Sequence, residues 1–162
     1  MAMKKESRQR QGAAPGRFGP RGGVEALWQQ AILAHRGGKL DDAQTLYRRI
    51  LSAAPSHAGS HNNLGLIHRI RGDAATAEAA FRAAVDADSG FAEAYHNLGN
   101  TLRDLSRSTD SIAAYRAAIR CRPGYRDAHA GNAGTVIAPG RTGDGADAGI
   151  AARDQEAGGA AL

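Results

Sequence analysis

The chain has 162 residues, of which 5% are aromatic, 21 are glycine and 5 are proline, which allows one domain of ordinary size and favours small-residue helix packing over a bulky aromatic core. Its single cysteine, Cys121, excludes an intrachain disulfide, and no apolar run approaches the length of a membrane span. The formal charge of +5 lies in residues 1–23, where Lys4, Lys5, Arg8, Arg10, Arg17 and Arg21 face only Glu6; the rest balances to zero, which excludes a basic nucleic-acid platform in the body of the chain.

Residues 1–23 have no periodic apolar positions and are rich in Gly, Arg and Gln, so a disordered basic arm is expected there. The stretch lacks the apolar core of a secretory signal. Its Gly and Pro content would make a poor amphipathic presequence helix.

From residue 24 to about residue 125 the chain is Ala-rich and repeats itself every 34 residues. Tyr47, Phe81 and Tyr115 share a column, as do Pro55, Ser89 and Pro123, and Leu51, Val85 and Ile119. Gly38, Gly72 and Ser106 fall together, and so do Leu27, His61, Tyr95 and His129. Asn-Leu-Gly occurs at Asn63-Leu64-Gly65 and again at Asn97-Leu98-Gly99. The units are 24–57, 58–91 and 92–125, and each holds two helical patterns.

In the second unit His61, Leu64, Gly65 and His68 lie on one helical face. Arg71-Gly72-Asp73 breaks the pattern, with Gly72 suited to a left-handed position and Asp73 to capping the next helix. Ala77, Phe81, Ala84 and Val85 form the apolar face of that helix. Pro55 and Pro123 stop the second helices of units one and three. Gly65 and Gly99 need a packing reason, because glycine inside a helix costs roughly 1 kcal/mol relative to alanine. Close approach of the paired helix, with Phe81 or Tyr115 filling the seam, is that reason. Unit one departs, with Gln30-Ala31 in place of Leu-Gly.

Residues 126–139 begin a fourth unit and then lose it. His129 is in column, but Gly131-Asn132-Ala133-Gly134 stands where Asn-Leu-Gly belongs. A weak helix closing unit three is expected. Residues 140–162, rich in Gly and Ala, are expected to be a poorly ordered tail. Their composition is also what GC-rich coding sequence gives when read out of frame, so a truncated longer protein is the second expectation.

These columns resemble the tetratricopeptide repeat family, whose units are helix–turn–helix pairs of this length. The resemblance implies an all-α fold, a short right-handed superhelical solenoid of three units. It implies a non-enzymatic scaffold that binds a protein or an extended peptide in its concave groove. The repeats are similar to those of O-GlcNAc transferases and related bacterial glycosyltransferases, where a row of asparagines lines the superhelix. By that likeness Asn63 and Asn97 are the binding positions, and Gln29 takes the column in unit one. His96, Asn100, Arg69 and Arg103 are expected to face the same groove. The alternative is the N-terminal repeat region of a glycosyltransferase or sulfotransferase whose catalytic domain is absent. Chaperone tails are bound in this family by Lys, Asn and Arg at set columns, which here hold Trp28, Ile32, Asn63, Glu93 and Asn97. Only Asn63 agrees, so no such clamp is expected.

The remaining candidates read as structural. Arg48, Arg82 and Arg116 repeat on the outer face of the second helices, with Glu78 and Asp86 each four residues from Arg82. His57, His61 and His68 lack the Cys or carboxylate partners of a metal site, with His61 and His68 in core columns. Cys121 shares a column with Ala53 and Ala87 and reads as a half-buried filler. The glycine-rich 140–145 lacks the Lys-Ser/Thr ending of a phosphate loop. No catalytic residues, cofactor or metal are expected. A cytoplasmic protein that avoids nucleic acid and membrane is the expectation, with self-association left open.

Overall fold

The protein is described by a computed structural model over residues 20–135. The arm up to residue 19 and everything beyond residue 135, including the tail at 140–162, lie outside the described residues. Seven helices and no strand are found among the described residues: α1 (Pro20–Arg36), α2 (Leu40–Ala53), α3 (Ala58–Ile70), α4 (Ala74–Ala87), α5 (Ala92–Asp104), α6 (Ser108–Cys121) and α7 (Arg126–Gly134). They pair as α1–α2, α3–α4 and α5–α6, and α7 packs on α6 and α5. The result is an all-α repeat solenoid. Helix α1 opens at Pro20, inside the stretch read as an arm; proline suits a first turn, where its missing amide has no partner to lose. No helix among the described residues is long and apolar enough to cross a membrane.

The turn inside each unit has one construction. Gly38 and Gly72 sit at φ 73° and 79°, and Ser106 at φ 61°. The next residue bonds back to the helix, from Lys39 N–H to the Ala34 carbonyl, Asp73 N–H to His68 and Arg107 N–H to Leu102, at 2.8–2.9 Å. This is the six-to-one bond of a Schellman end, and it requires the left-handed residue. Ser106 adopts it without glycine's freedom. Asp73 then caps α4, its Oδ1 accepting from Thr76 N–H at 3.1 Å.

Between units a second turn also recurs. His57, Phe91 and Tyr125 each donate their amide to the carbonyl three residues back, in Ala54, Asp88 and Arg122. His61 and His129 add a side-chain tie, each Nε2–H donating to a proline carbonyl, Pro55 or Pro123, at 2.8 Å. That corrects the core assignment of His61. It is half-buried at the boundary between units, where its ring nitrogen finds an acceptor that the core could not offer. His68 is also only half-buried; its Nδ1 lies 3.5 Å from Asp73 Oδ2.

The core follows the repeat columns. Tyr47, Phe81 and Tyr115 are fully buried. A Cβ added at Gly65 would meet the Phe81 ring at 2.6 Å, and one at Gly99 would meet Tyr115 at 2.7 Å. The two glycines therefore permit the close helix pairs expected of them. Tyr115 is held from a second side by Gly131, where an added Cβ would lie 2.6 Å away. Leu64 and Leu98 are buried beside these rings, as are Ala77 and Ala84, while Val85 is half-buried.

Ion pairs tie successive units. Arg71 donates to Asp41 and, at 2.8 Å, to the buried Gln44 Oε1. Arg107 donates to Glu78 Oε1 at 2.7 Å and to Asp110. Gln44 and Glu78 are one repeat apart, so the same buried column receives a guanidinium at both seams, from arginines in different columns. Arg82 also pairs with Glu78. Cys121, expected to be half-buried, is exposed, and its thiol donates to the Ser89 carbonyl at 3.3 Å. Ala53, in the same column at the other end of the array, is exposed as well.

Candidate functional site

The first helices of the units, α1, α3 and α5, carry the columns singled out in the sequence. Four of these columns read in parallel. One holds Trp28, Asn62 and His96; the next holds Gln29, Asn63 and Asn97. A third holds Ile32, Leu66 and Asn100, and the fourth holds His35, Arg69 and Arg103. Along each column the character changes from apolar or neutral at unit one to polar or cationic at unit three.

The asparagines are joined. Asn97 Nδ2 donates to Asn62 Oδ1 at 2.9 Å, Asn62 Nδ2 donates to Asn63 Oδ1 at 3.2 Å, and Asn63 Nδ2 donates to the Tyr47 hydroxyl at 3.0 Å. His35 Nδ1 lies 3.3 Å from the same hydroxyl. Asn63 and Asn97 are half-buried and use their amides inside the protein, whereas the sequence pattern turned them toward solvent. Each keeps a carbonyl lone pair and an amide hydrogen for a further partner. Asn62 was missed. It is buried, at 6% exposure, and it bridges the two units. Its signal in the sequence was a polar residue beside the Asn-Leu-Gly core, in the column that also holds His96.

Asn97 turns to Asn62 for a stateable reason. Each asparagine of this column follows the preceding unit's aromatic residue by 16 positions. Asn63 meets a tyrosine and donates to its hydroxyl; Asn97 follows Phe81, which has none. In the fourth unit the column is Gly131, and Tyr115 bonds elsewhere.

A second relay surrounds His96. The Tyr115 hydroxyl donates to Asn100 Oδ1 at 2.7 Å, and Asn100 Nδ2 lies 2.9 Å from His96 Nε2. The tyrosine fixes which end of the amide faces the histidine, so Nδ2 donates and Nε2 accepts. Neutral His96 then carries its proton on Nδ1, which is buried with no partner among the described residues. Burial holds His96 below the usual histidine range; Asp127 opposes that, and Arg69 and Arg103 reinforce it. Burial likewise raises Tyr115, with Arg103 and Arg69 acting the other way. The His96 ring stacks at 5.8 Å from Tyr115 and 5.2 Å from Tyr125.

Arg69 and Arg103 are both exposed and both act on His96 and Tyr115. Arg69 Nη1 lies 3.7 Å from Asp104 Oδ2. Arg103 makes no hydrogen bond or ion pair among the described residues. The structure thus brings His96, Asn100, Arg69 and Arg103 to one corner and joins Asn97 to Asn63. Gln29 is apart from them: it is exposed, and its Nε2 donates to Glu25 on its own helix at 2.8 Å.

The other candidates serve the fold. His57 caps α3, its Nδ1 accepting from Ser60 N–H at 3.1 Å, and its ring stacks 4.8 Å from Trp28. No group of three or more His, Cys, Asp or Glu side chains is placed to hold a metal among the described residues. Glu93 accepts from Arg122 at 2.6 Å, so a carboxylate occupies a column that a chaperone-tail clamp would fill with a cation.

Three comparisons bear on this geometry. A family model described as tetratricopeptide repeat matches residues 29–92 and 71–126. No curated protein matches at a significant level. Among solved structures, an O-GlcNAc transferase of Thermobaculum terrenum is similar at 30% identity and TM-score 0.67, over 75% of this chain and 23% of that one. The first repeat domain of Spaghetti (RPAP3) bound to the HSP90 peptide SRMEEVD is similar at 19% identity and TM-score 0.66, over 69% of this chain and 89% of that one. The second repeat domain of human RPAP3, in complex with an HSP70 peptide, matches at 17% identity and TM-score 0.67, over 72% of this chain and 98% of that one. At these identities the last two show the fold alone. Three helix pairs followed by α7, glycine-licensed contacts on a 34-residue period and a family match spanning both seams lead to one conclusion: the chain belongs to the tetratricopeptide repeat family.

Proposed function

We propose that the protein is a non-enzymatic scaffold that holds an extended peptide along α1, α3 and α5. The observation that carries this reading is the line of half-buried amides from Asn97 to Asn63. Each is fixed in place by an internal bond and each has hydrogen-bonding capacity left over. A peptide backbone presents alternating donors and acceptors, and a pre-positioned amide engages it at little entropic cost. The structural neighbours that hold HSP90 and HSP70 peptides support peptide binding as a use of this fold. The Glu93–Arg122 pair argues for a ligand other than a chaperone tail. A soluble, cytoplasmic setting belongs to the same proposal.

The test is binding of a random peptide library by the wild type and by Asn97→Ala. Loss of a hydrogen bond worth about 1 kcal/mol weakens bound peptides roughly fivefold. Unchanged affinity would remove the amides from the site. Asn97 is the better position to alter, because Asn63 also holds Tyr47.

A second reading rests on the Thermobaculum terrenum transferase, of which this chain spans 23% of the length. On that reading the chain is the repeat portion of a larger glycosyltransferase. Translation of the coding sequence beyond residue 139 in the other two frames decides it. A resumed repeat favours the larger enzyme, and two unrelated frames favour the scaffold.

A further inference from the structure

The groove columns are not uniform, and their asymmetry says which peptide fits. At unit one they hold Trp28 and Ile32, both half-buried. Trp28 is braced from beneath: a Cβ added at Gly59 would meet its ring at 2.8 Å, and its ring lies 5.7 Å from Tyr47 and 4.8 Å from His57. It is a rigid apolar platform with part of its surface left over. At unit three the same columns hold His96 and Asn100, and the fourth column adds Arg69 and Arg103.

These two arginines differ from the arginines held in close ion pairs. Arg71, Arg82, Arg107 and Arg122 each have a carboxylate partner at their guanidinium. Among the described residues Arg69 pairs only with Asp104, at 3.7 Å with both side chains well exposed, and Arg103 pairs with no carboxylate. The 3.7 Å contact also brings Arg69 beside the end of α5, next to Arg103. Asp104 offsets one of the two charges, which leaves Arg103 as the arginine of this corner without an ion pair among the described residues. A guanidinium pairs with a carboxylate in a planar, bidentate geometry, which gives it selectivity as well as attraction.

Resting on the groove reading above, we infer that the protein selects a two-part extended peptide, with an apolar side chain at Trp28 and Ile32 and an internal Asp or Glu side chain at Arg103. Two helix spacings of about 10 Å separate α1 from α5 and an extended chain advances about 3.3 Å per residue, so the two elements are about six residues apart in the peptide. The acid is internal because the columns that would grip a C-terminal carboxylate hold Trp28, Ile32 and Glu93.

The experiment is selection of a random peptide library displayed on phage, each peptide fused at its C-terminus so that no free carboxylate contributes. Wild type and Arg103→Gln are used as baits. Arg103 is exposed and unpaired, so the variant melts with the wild type, which circular dichroism checks first. The expected peptides share an apolar residue and an acid at that spacing. In capped synthetic copies, changing the acid to its amide weakens binding about tenfold to wild type and leaves binding to Arg103→Gln unchanged. Changing the apolar residue to Ala weakens binding to both baits. Peptides enriched without this pattern, or with the same acid preference on both baits, overturn the inference and leave the groove reading standing. No enriched peptide on the wild type overturns the groove reading, and this inference with it.

Discussion

Tyr47 and Tyr115 occupy the same repeat column and are both fully buried, yet their hydroxyls are bonded in different directions. The Tyr47 hydroxyl accepts from Asn63 of the next unit. The Tyr115 hydroxyl donates to Asn100 of its own unit, and across the seam it meets Gly131. The first seam is therefore tied by a side-chain hydrogen bond as well as by packing. At the last seam Tyr115 meets α7 by packing alone. Replacing Asn by Gly lets α7 sit close on a ring that the array no longer tethers. The column read as a ligand site is thus also the joint between units.

The largest test of this comparison is at the ring of Tyr115, which glycines enclose from two sides. Gly99→Ala puts a methyl 2.7 Å from it, between paired helices that cannot separate. A loss of about 3 kcal/mol in urea denaturation is expected. Gly131→Ala makes a similar clash, but α7 is a short helix of nine residues with fewer contacts to break, so about 1 kcal/mol is expected. Equal losses would mean that α7 is held as firmly as α6.

Next in size is the first seam. Asn63→Ala removes a bond and leaves the buried Tyr47 hydroxyl with only the 3.3 Å contact to His35. About 1–2 kcal/mol should be lost, because an orphaned buried hydroxyl costs more than the bond contributed. Adding Tyr47→Phe should recover part of that loss. Tyr47→Phe alone gives the pairing found at the second seam, where Phe81 is followed by Asn97. A double-mutant cycle with no coupling would show that the hydrogen bond does not tie the units.

The helix pairs, the left-handed turn at Gly72, the Asp73 cap and the contact of Gly65 and Gly99 with aromatic rings were legible in the sequence. Each depends on backbone geometry that one column sets by itself. The amide chain was not. Whether Asn63 or Asn97 faces a hydroxyl depends on the aromatic residue 16 positions earlier, so the answer lies in a pair of columns. Asn62 was missed because its burial comes from the neighbouring unit. His61 was put in the core because helical period alone cannot separate a core position from a seam position beside the Pro55 carbonyl. Cys121 was read as a half-buried filler because it aligns with Ala53 and Ala87, but Ala53 is itself exposed, so the column is not a core one.

Acid should act on the last seam in particular. Burial lowers His96 below the ordinary value of 6.5, so the folded protein binds fewer protons there than the unfolded chain. The stability that neutral His96 permits is present above 6.5 and is lost as pH falls from 6.5 through its folded pKa. Protonating Nε2 also ends the bond from Asn100. His35 is lowered by burial too, and its loss falls on the first seam. Amide protection of α5 to α7, taken relative to the intrinsic exchange rate at each pH, should fall across this range in wild type and much less in His96→Gln. The same fall in both would assign the acid sensitivity elsewhere.

The smallest expected effect concerns the turn of unit three, where Ser106 stands in the column of Gly38 and Gly72. A non-glycine residue at φ 61° carries a cost of roughly 1–2 kcal/mol from its Cβ and the following carbonyl. Glycine removes that cost, but it also gives the unfolded chain more freedom, which returns about 0.5–1 kcal/mol. Ser106→Gly should therefore stabilise by a few tenths to about 1 kcal/mol, visible as a higher urea midpoint with unchanged slope. Gly72→Ser is the converse at the turn of unit two and should cost a similar amount. If both changes are neutral, the turn is set by Arg107, whose bonds to Glu78 and Asp110 hold the start of α6 whatever residue precedes it. The choice between these outcomes decides whether unit three is strained at its turn or compensated by the ion pairs at its seam.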